Sequence, residues 1–519
     1  MSATTVNLDA MIARADFASA ADRPSQTTDK FDKIMLRDLV GDGAYISKLM
    51  RKPDFQRETT QWKPLQIAML IESFLDGELI PAVILWQSNS HVFVIDGGHR
   101  LSALLAWAHD DYGDGPHSLP FFKGEIADAQ KRLANRTRSE VNKRVGTYQH
   151  FSEKIKNSND EGSQNDGRAI IFATRGLQVQ WIDGDADKAE SSFFKINTQG
   201  SALDPIEEKI LRNRMKAPAI ASRSIARAAT GHKYWSKFDK PVQSEIAEKA
   251  QVIHQALFSP EVPNPVKTIN LPLGGTSSIT SVLDILISLC EIVDSQSRNI
   301  IKFENDTDGS QTIAMLDQLE KVTSRLVGNK SKSLGLHPFI YFYTNKGRHS
   351  PPLMLAMFSI VARRVRDNNK QWFKDFTSKR AYIEASLIEH KGIISLLVSA
   401  LGSTQRLQGT VKALELILNH DYANQTPISA DEIALAMGLE SRLFTIQSKP
   451  GADFSDEAKS SAFLRQAFKQ ALRCPICDGY LDPTKSASYD HIVRKQDGGD
   501  GAEDNCQITH PYCNSSIKN

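Results

Sequence analysis

Residues 474–519 read CPICDGYLDPTKSASYDHIVRKQDGGDGAEDNCQITHPYCNSSIKN. Two pairs of soft donors, Cys474/Cys477 and His510/Cys513, bracket the dipeptide Asp490-His491. A Zn²⁺ ion takes four tetrahedral nitrogen or sulfur ligands, commonly from two pairs each separated by two residues. Cys474-Pro-Ile-Cys477 and His510-Pro-Tyr-Cys513 both have that spacing. Four of the five cysteines fall in this stretch, and Cys290 alone lies elsewhere. Clustered cysteines in a chain expected to be cytosolic point to metal rather than to disulfides. Cys506, four residues before His510, is a competing fourth ligand. Unmetallated surface thiols are the bland alternative, and the paired spacing argues against them.

The same stretch carries a second chemistry. Hydrolysis of a phosphodiester needs a base to activate water and a hard cation to take charge on the phosphate. His491 is the base candidate, and Asp490 beside it offers an oxygen to Mg²⁺ or Mn²⁺. Asn514 adjoins the last zinc ligand, so a zinc clip would fix its position. Asn505 lies in the intervening loop and is placed to hold the His491 segment by hydrogen bonds. Gly498-Gly499 supplies a turn. Pro511 suits the first turn of a short helix carrying Cys513 and Asn514.

These residues resemble the HNH (ββα-metal) nuclease family, whose pattern runs CxxC, DH, GG, Asn and CxxCN. The resemblance implies Asp490 and Asn514 as ligands of a catalytic Mg²⁺ or Mn²⁺, His491 as general base and Asn505 as the orienting residue. It makes the zinc on Cys474, Cys477, His510 and Cys513 structural. His510 stands where the family usually has cysteine, a change zinc tolerates. A zinc ribbon that only binds DNA is the competing reading, but a ribbon has no need of Asp-His plus Asn.

Outward from this segment, 519 residues suggest two to four domains. With 40% hydrophobic and 24% charged residues, the composition is that of an ordinary globular protein. No apolar run approaches the ~20 residues of a membrane span, and the first residues lack the apolar core of a signal peptide. A cytoplasmic location is expected. The net charge is only +2, so any nucleic-acid surface must be local. Residues 131–144 carry six Lys/Arg against one Glu, and residues 207–240 carry nine against three acids. Such clusters suit phosphates, or else are solvated helix faces. The 465–519 segment balances seven basic against seven acidic side chains, so the rest of the protein should supply the grip on DNA.

A second informative region spans 54–107. Pro64 opens an expected amphipathic helix with Leu65, Ala68, Met69 and Ile71 to Leu75 apolar. Ile80 to Trp86 and Val92 to Ile95 read as a strand pair close enough for a hairpin. The second strand runs into Asp96-Gly97-Gly98-His99-Arg100 and a helix over Leu101 to Trp107. Strand, glycine turn and helix form a phosphate-cradling arrangement, with backbone N–H groups and the helix N-terminus facing an anion. Arg100 is placed to grip a phosphate bidentately, His99 to orient an oxygen, and Asp96 to hold a metal or a ribose hydroxyl. Most Gly-Gly turns, however, are only turns.

The order Phe55-Gln56-Arg57, Trp62, Ile80 to Leu85, then VFVIDGGHRLSALLAW over 92–107 is similar to the ParB/sulfiredoxin-like domain family, including GmrSD-type restriction proteins. That family's signature reads DGQQR or DGQHR. Gln56, Arg57, Asp96, Gly97 and Arg100 match it, and Gly98 stands where Gln is usual. Phe193 to Gly200, with Leu203 and Glu207, resembles the family's FxxINxxG segment, which implies Asn197 as a polar contact near the phosphate site. Members bind or hydrolyse nucleoside triphosphates, and several fuse this domain to an HNH nuclease as defence against phage DNA.

Between the two regions, 157–167 reads as a loop and Pro260 to Pro272 as a connector with four prolines. Helical spacing dominates from 205, at Ile279–Val293, Ile313–Val327, Leu353–Val365 and Val411–Leu418. Ser429 to Glu432 is a capping box opening a helix that ends near Gly438, a piece that a helix-turn-helix would also contain. Phe339 to Tyr343 is most simply core. The expected fold class is multidomain α+β. It comprises a flexible terminus over 1–29, a ParB-like α/β domain over 30–215, an α-helical middle over 216–438, a linker over 439–460 and a zinc-stapled ββα-metal domain over 461–519. The expected function is a DNA endonuclease of the HNH type acting on foreign or modified DNA. A nucleotide bound at Gln56, Arg57, Asp96 to Arg100 and Asn197 would control it, and a homo-oligomer would suit double-strand cutting. A modification-sensing binding protein and an RNA-directed nuclease are the alternatives.

Overall fold

Hydrophobic strands meeting helices on both faces organise the N-terminal half. The computed structural model describes residues 5–15, 17, 30–41, 44–54, 56, 59, 62–88, 91–122, 124, 126–156, 167–199, 204–230, 233–263, 265–275, 278–296, 298–424, 426–439 and 454–518. Two compact units emerge. Residues 2–214 with 230–237 form one, and 215–229 with 238–519 form the other. The expected loop at 157–167, save Gly167, and residues 440–453 of the expected linker lie outside the described residues.

The N-terminal unit is built on a six-stranded sheet of β1 (Arg14–Ala15), β2 (Lys33–Met35), β3 (Met50–Pro53), β4 (Val83–Gln87), β5 (Val92–Asp96) and β6 (Gly176–Trp181). Their order is β1-β3-β5-β4-β6-β2. β4 and β5 pair antiparallel as the hairpin expected from sequence, while β3 joins β5 and β6 joins β4 in parallel. The central strands are apolar up to their last residues, Gln87 and Asp96, because both their faces are covered. Val83, Leu85, Val92 and Val94 enter one core with Ile67, Ile71, Phe74, Leu101 and Leu104 from two helices. The alternate residues Trp86, Phe93 and Ile95 enter a second core with Phe17, Phe193 and Phe194.

Three expectations need correcting here. The 64–75 helix forms with Pro64 in its first turn, but Leu65 and Met69 are exposed. Ile67, Ala68, Ile71, Phe74 and Leu75 complete the inward stripe, and positions 65 and 69 fall outside it. The strand expected from Ile80 begins at Val83, since Pro81 has no N–H to donate. Residues 5–15 are no loose terminus: Val6 and Leu8 donate backbone hydrogen bonds to Trp62 and Thr59, and their side chains are buried.

In the second unit the helix Ile279–Val293 has the expected bounds, and helices Ser310–Leu326, Pro351–Arg366 and Ser403–Asn419 contain or overlap the other expected ones. Phe339 to Tyr343 are all buried. Ser429 and Glu432 cap each other reciprocally. At the C-terminus β7 (Ser488–His491) and β8 (Cys506–Thr509) form a hairpin, and a helical turn from Pro511 continues as a π-helix over Cys513–Ile517. No helix among the described residues is long and apolar enough to cross a membrane.

Candidate metal and nuclease site

The ligand atoms of Cys474, Cys477, His510 and Cys513 all lie within 4.8 Å of one another. His510 Nδ1 is 3.4 Å from Cys477 Sγ and 3.9 Å from Cys513 Sγ. Its other nitrogen, Nε2, is 3.0 Å from the Tyr480 carbonyl. Donation from Nε2 to that oxygen leaves the Nδ1 lone pair facing the sulfurs, the usual way a histidine ligand is oriented. Hydrogen bonds from Cys477 and Cys513 outweigh burial and pull the Cys474 thiol far below its ordinary value. The same contact with Cys474 pushes Cys477 up to about 11. Three thiols with one imidazole at this spacing fit tetrahedral zinc. Cys506, the competing ligand, is exposed on β8 outside the group.

A buried ion pair holds this knuckle onto the helices of its own unit. Arg380 Nε and Glu384 Oε1 are 2.7 Å apart, with both side chains about 1% exposed. Glu384 also accepts from Tyr341 Oη at 3.0 Å and from the backbone N–H of Tyr480 at 2.7 Å. Arg380 donates onward to the Leu334 and Gly335 carbonyls. A Cβ at Gly479 would come within 2.5 Å of Arg380 Nε, so only glycine lets the knuckle pass this close. Neither partner attracted notice in the sequence, where an i,i+4 Arg/Glu pair reads as an ordinary helix surface.

The β7–β8 register sets Asp490 opposite Gln507 and His491 opposite Cys506. Asp490 and His491 are the last two residues of β7. Asp490 is buried, and its Oδ2 accepts from Gln507 Nε2 at 2.8 Å and from Lys518 Nζ at 2.7 Å. Asn514 Nδ2 donates to Ser488 Oγ at 2.8 Å and to the Tyr489 carbonyl at 3.2 Å, which seats the side chain against β7. Asn505 fastens the chain just past His491. Its Oδ1 accepts from Val493 N at 2.7 Å, its Nδ2 donates to Val493 O, and its carbonyl accepts from Ile492 N. Gly499 is required by close approach, since a Cβ there would lie 1.9 Å from the Val493 carbonyl. The hairpin thus brings Asp490 and Asn514 to one strand, with Asn505 holding the loop that follows His491. Lys518 was missed by sequence reasoning, and nothing in its spacing marks it out.

In the N-terminal unit, Gly97 adopts φ 92° and begins the helix Gly98–His109 directly after β5. A Cβ at Gly97 would press on Val83 and Arg100 at 3.1 Å, whereas one at Gly98 meets only ordinary contact with Gln56. The fold therefore demands glycine at 97 but not at 98. Gln56 donates to the Val94 and Ile95 carbonyls, and its buried Oε1, facing Gly98, has no hydrogen-bond partner among the described residues. The His99 ring lies against that of Trp62, tilted by 30° with centroids 5.5 Å apart. Arg100, expected to grip phosphate, is engaged by Asp96 at 2.7 Å and by the Ala82 carbonyl. Arg57 and the side chain of Asn197 lie outside the described residues; the helix Ala186–Gln199 that carries Asn197 packs through Phe193 and Phe194 against Phe93 and Ile95. A buried network that sequence did not reveal fixes the Gln56 segment from behind. Asp9 pairs with Arg14 at 2.9 Å and Lys52 at 2.8 Å, and Arg14 donates to the Pro53 and Gln56 carbonyls. Burial opposes charge on Asp9, yet Arg14 and Lys52 hold its carboxyl well below the usual range. Burial lowers Lys52 itself to about 8.

A hairpin beside a Cys3His cluster and followed by a short helix, with Asp-His on the first strand and Asn on the helix, is the framework of a ββα-metal nuclease. In agreement, residues 474–519 match the family model described as HNH endonuclease. Residues 36–216 match that of the GmrSD restriction endonuclease, N-terminal domain. No curated protein and no solved structure matches the chain. The chain thus joins a restriction-type N-terminal domain to a C-terminal endonuclease domain, and DNA is the substrate these domains imply.

Proposed function

We propose that this protein cleaves foreign or modified DNA with His491 as general base and a divalent ion on Asp490 and Asn514, under the control of a nucleotide bound by its N-terminal domain. The observation that carries the reading is the β7–β8 hairpin, in which Asp490, His491 and Asn514 adjoin one strand beside a Cys3His cluster. A bound Mg²⁺ or Mn²⁺ would supply a Lewis acid for the phosphate and the leaving 3′ oxygen. The residues fit such an ion, since the Asp490 carboxylate and the nearby carbonyls already surround a cation, the Lys518 ammonium. His491 takes the proton of the attacking water. Asn505 keeps that histidine's segment in place through Val493. The zinc holds the Asn514 turn against β7.

On the N-terminal side, the buried Gln56 oxygen, without a partner among the described residues, the Gly97 turn and the start of the 98–109 helix support a nucleoside triphosphate as the controlling ligand. Arg100 would exchange Asp96 for a phosphate oxygen. The chain acts in the cytoplasm, and two copies acting together account for double-strand cuts.

The test is plasmid cleavage with Mg²⁺ or Mn²⁺, on unmodified and phage-modified DNA, with and without each nucleoside triphosphate. Cutting should vanish in His491→Ala while the protein stays folded. Cutting by His491→Ala at the wild-type rate sinks the assignment. Binding without any cutting points to a silent zinc ribbon, and cleavage of RNA alone points to an RNA-directed enzyme.

A further inference from the structure

Lys518 is the one basic side chain seated on the Asp490 carboxylate among the described residues. Its Nζ lies 2.7 Å from Asp490 Oδ2 and donates as well to the His491 carbonyl and, at 3.3 Å, to the Ile492 carbonyl. The side chain is only 17% exposed. Arg494 donates through Nη2 to the Lys518 carbonyl and so tethers the backbone that carries the ammonium. One carboxylate oxygen and two carbonyls are the hard donors that Mg²⁺ and Mn²⁺ select.

We propose that Lys518 is a built-in counter-cation of Asp490 that competes with the divalent ion for that carboxylate. An ammonium and a divalent ion cannot share one carboxylate oxygen at bonding distance, because the cations repel strongly in a partly buried site. Entry of the ion at Oδ2 therefore requires Lys518 to swing away. Until it does, the buried carboxylate is neutralised from within the chain, and the affinity for divalent metal is held down. Lys518 acts here as a positioning residue that sets the metal demand of the site. The inference rests on the reading of Asp490 as a ligand of the catalytic ion, and the experiment separates the two.

The experiment is calorimetric titration of Mn²⁺ into the full-length, zinc-loaded protein, comparing wild type with Asp490→Asn, Lys518→Met and Arg494→Ala. Asp490→Asn should lose the binding event assigned to this site. Lys518→Met should bind Mn²⁺ about tenfold more tightly, since the competing charge is gone. Arg494→Ala, which loosens the tether and leaves Asp490 and Lys518 in place, should shift in the same direction by less. It decides the matter if Lys518→Met fails to fold. Loss of binding in Asp490→Asn together with unchanged or weaker binding in both other variants overturns the competition and leaves the Asp490 reading standing. Wild-type binding by Asp490→Asn overturns that reading, and the competition with it.

Discussion

Replacing Glu384 by Gln tests whether the zinc knuckle depends on the helices beneath it. The substitution keeps the shape and removes the charge. Arg380 then stays buried, about 1% exposed, still donating to the Leu334 and Gly335 carbonyls but without the carboxylate that balances its charge. Breaking one side of a buried pair costs about 3–5 kcal/mol, because the remaining charge is uncompensated. Tyr341 donates to Oε1 and the Tyr480 N–H to Oε2, so the single amide oxygen of glutamine serves only one of them and the cost belongs in that range rather than below it. With two units in the chain a single unfolding transition cannot be assumed, so the assay should report on the knuckle itself. Guanidinium titration with a chromogenic zinc chelator does this. Glu384→Gln should release zinc at clearly lower denaturant than wild type. The double variant Arg380→Met/Glu384→Met should recover most of the loss, since an apolar pair leaves no charge stranded. Release at the wild-type denaturant concentration in Glu384→Gln, or a double variant worse than the single, would refute the anchoring argument.

Other outcomes follow from the same geometry. Cys474→Ser should drop the zinc content below one per chain by elemental analysis and lower the unfolding temperature, because the ligand set supplies folding energy. His337 is fully buried, with no hydrogen bond to either ring nitrogen among the described residues, and burial, reinforced by Arg380 and Lys391, lowers it from 6.5 to about 3. The unfolded chain therefore takes up this proton first. The stability linked to His337 is complete above pH 6.5 and is lost as pH falls toward 3, by up to about 5 kcal/mol. His337→Leu should show a shallower fall in denaturation midpoint between pH 6.5 and pH 4.5. Gly97→Ala should destabilise the N-terminal unit by about 1–3 kcal/mol in thermal unfolding, since the position combines φ 92° with contacts at 3.1 Å. Gly98→Ala should stay within about 0.5 kcal/mol.

Much of this architecture was legible because it is local. The paired spacing of Cys474/Cys477 and His510/Cys513 specifies a tetrahedral site without reference to the fold. Ser429 and Glu432 cap a helix within one turn, and the apolar spacing of Ile279–Val293 needs no partner to be read. The glycine turn after Val92–Ile95 was visible for the same reason. What escaped depends on segments far apart in sequence. Asp9 meets Lys52 only once β1 and β3 lie side by side. Arg380 and Glu384 look like solvent residues until the knuckle covers them. Lys518 finds Asp490 only because the final turn folds back along β7. Arg100 was placed in the right turn, but its engagement with Asp96 is a matter of rotamer and not of pattern.

Asn505 carries a consequence for how this domain can diversify. It grips the chain at Val493 and at Asp500, so the segment between the strands is closed off as a separate excursion. Insertions or deletions between Arg494 and Asp500 would alter the surface offered to a substrate and leave the two strands in register. A single residue added within β7 would instead shift Asp490 and His491 out of register with β8 and erase the site at one stroke. Variation in length should therefore concentrate inside that excursion, which makes it the natural place to graft new contacts when redirecting the nuclease.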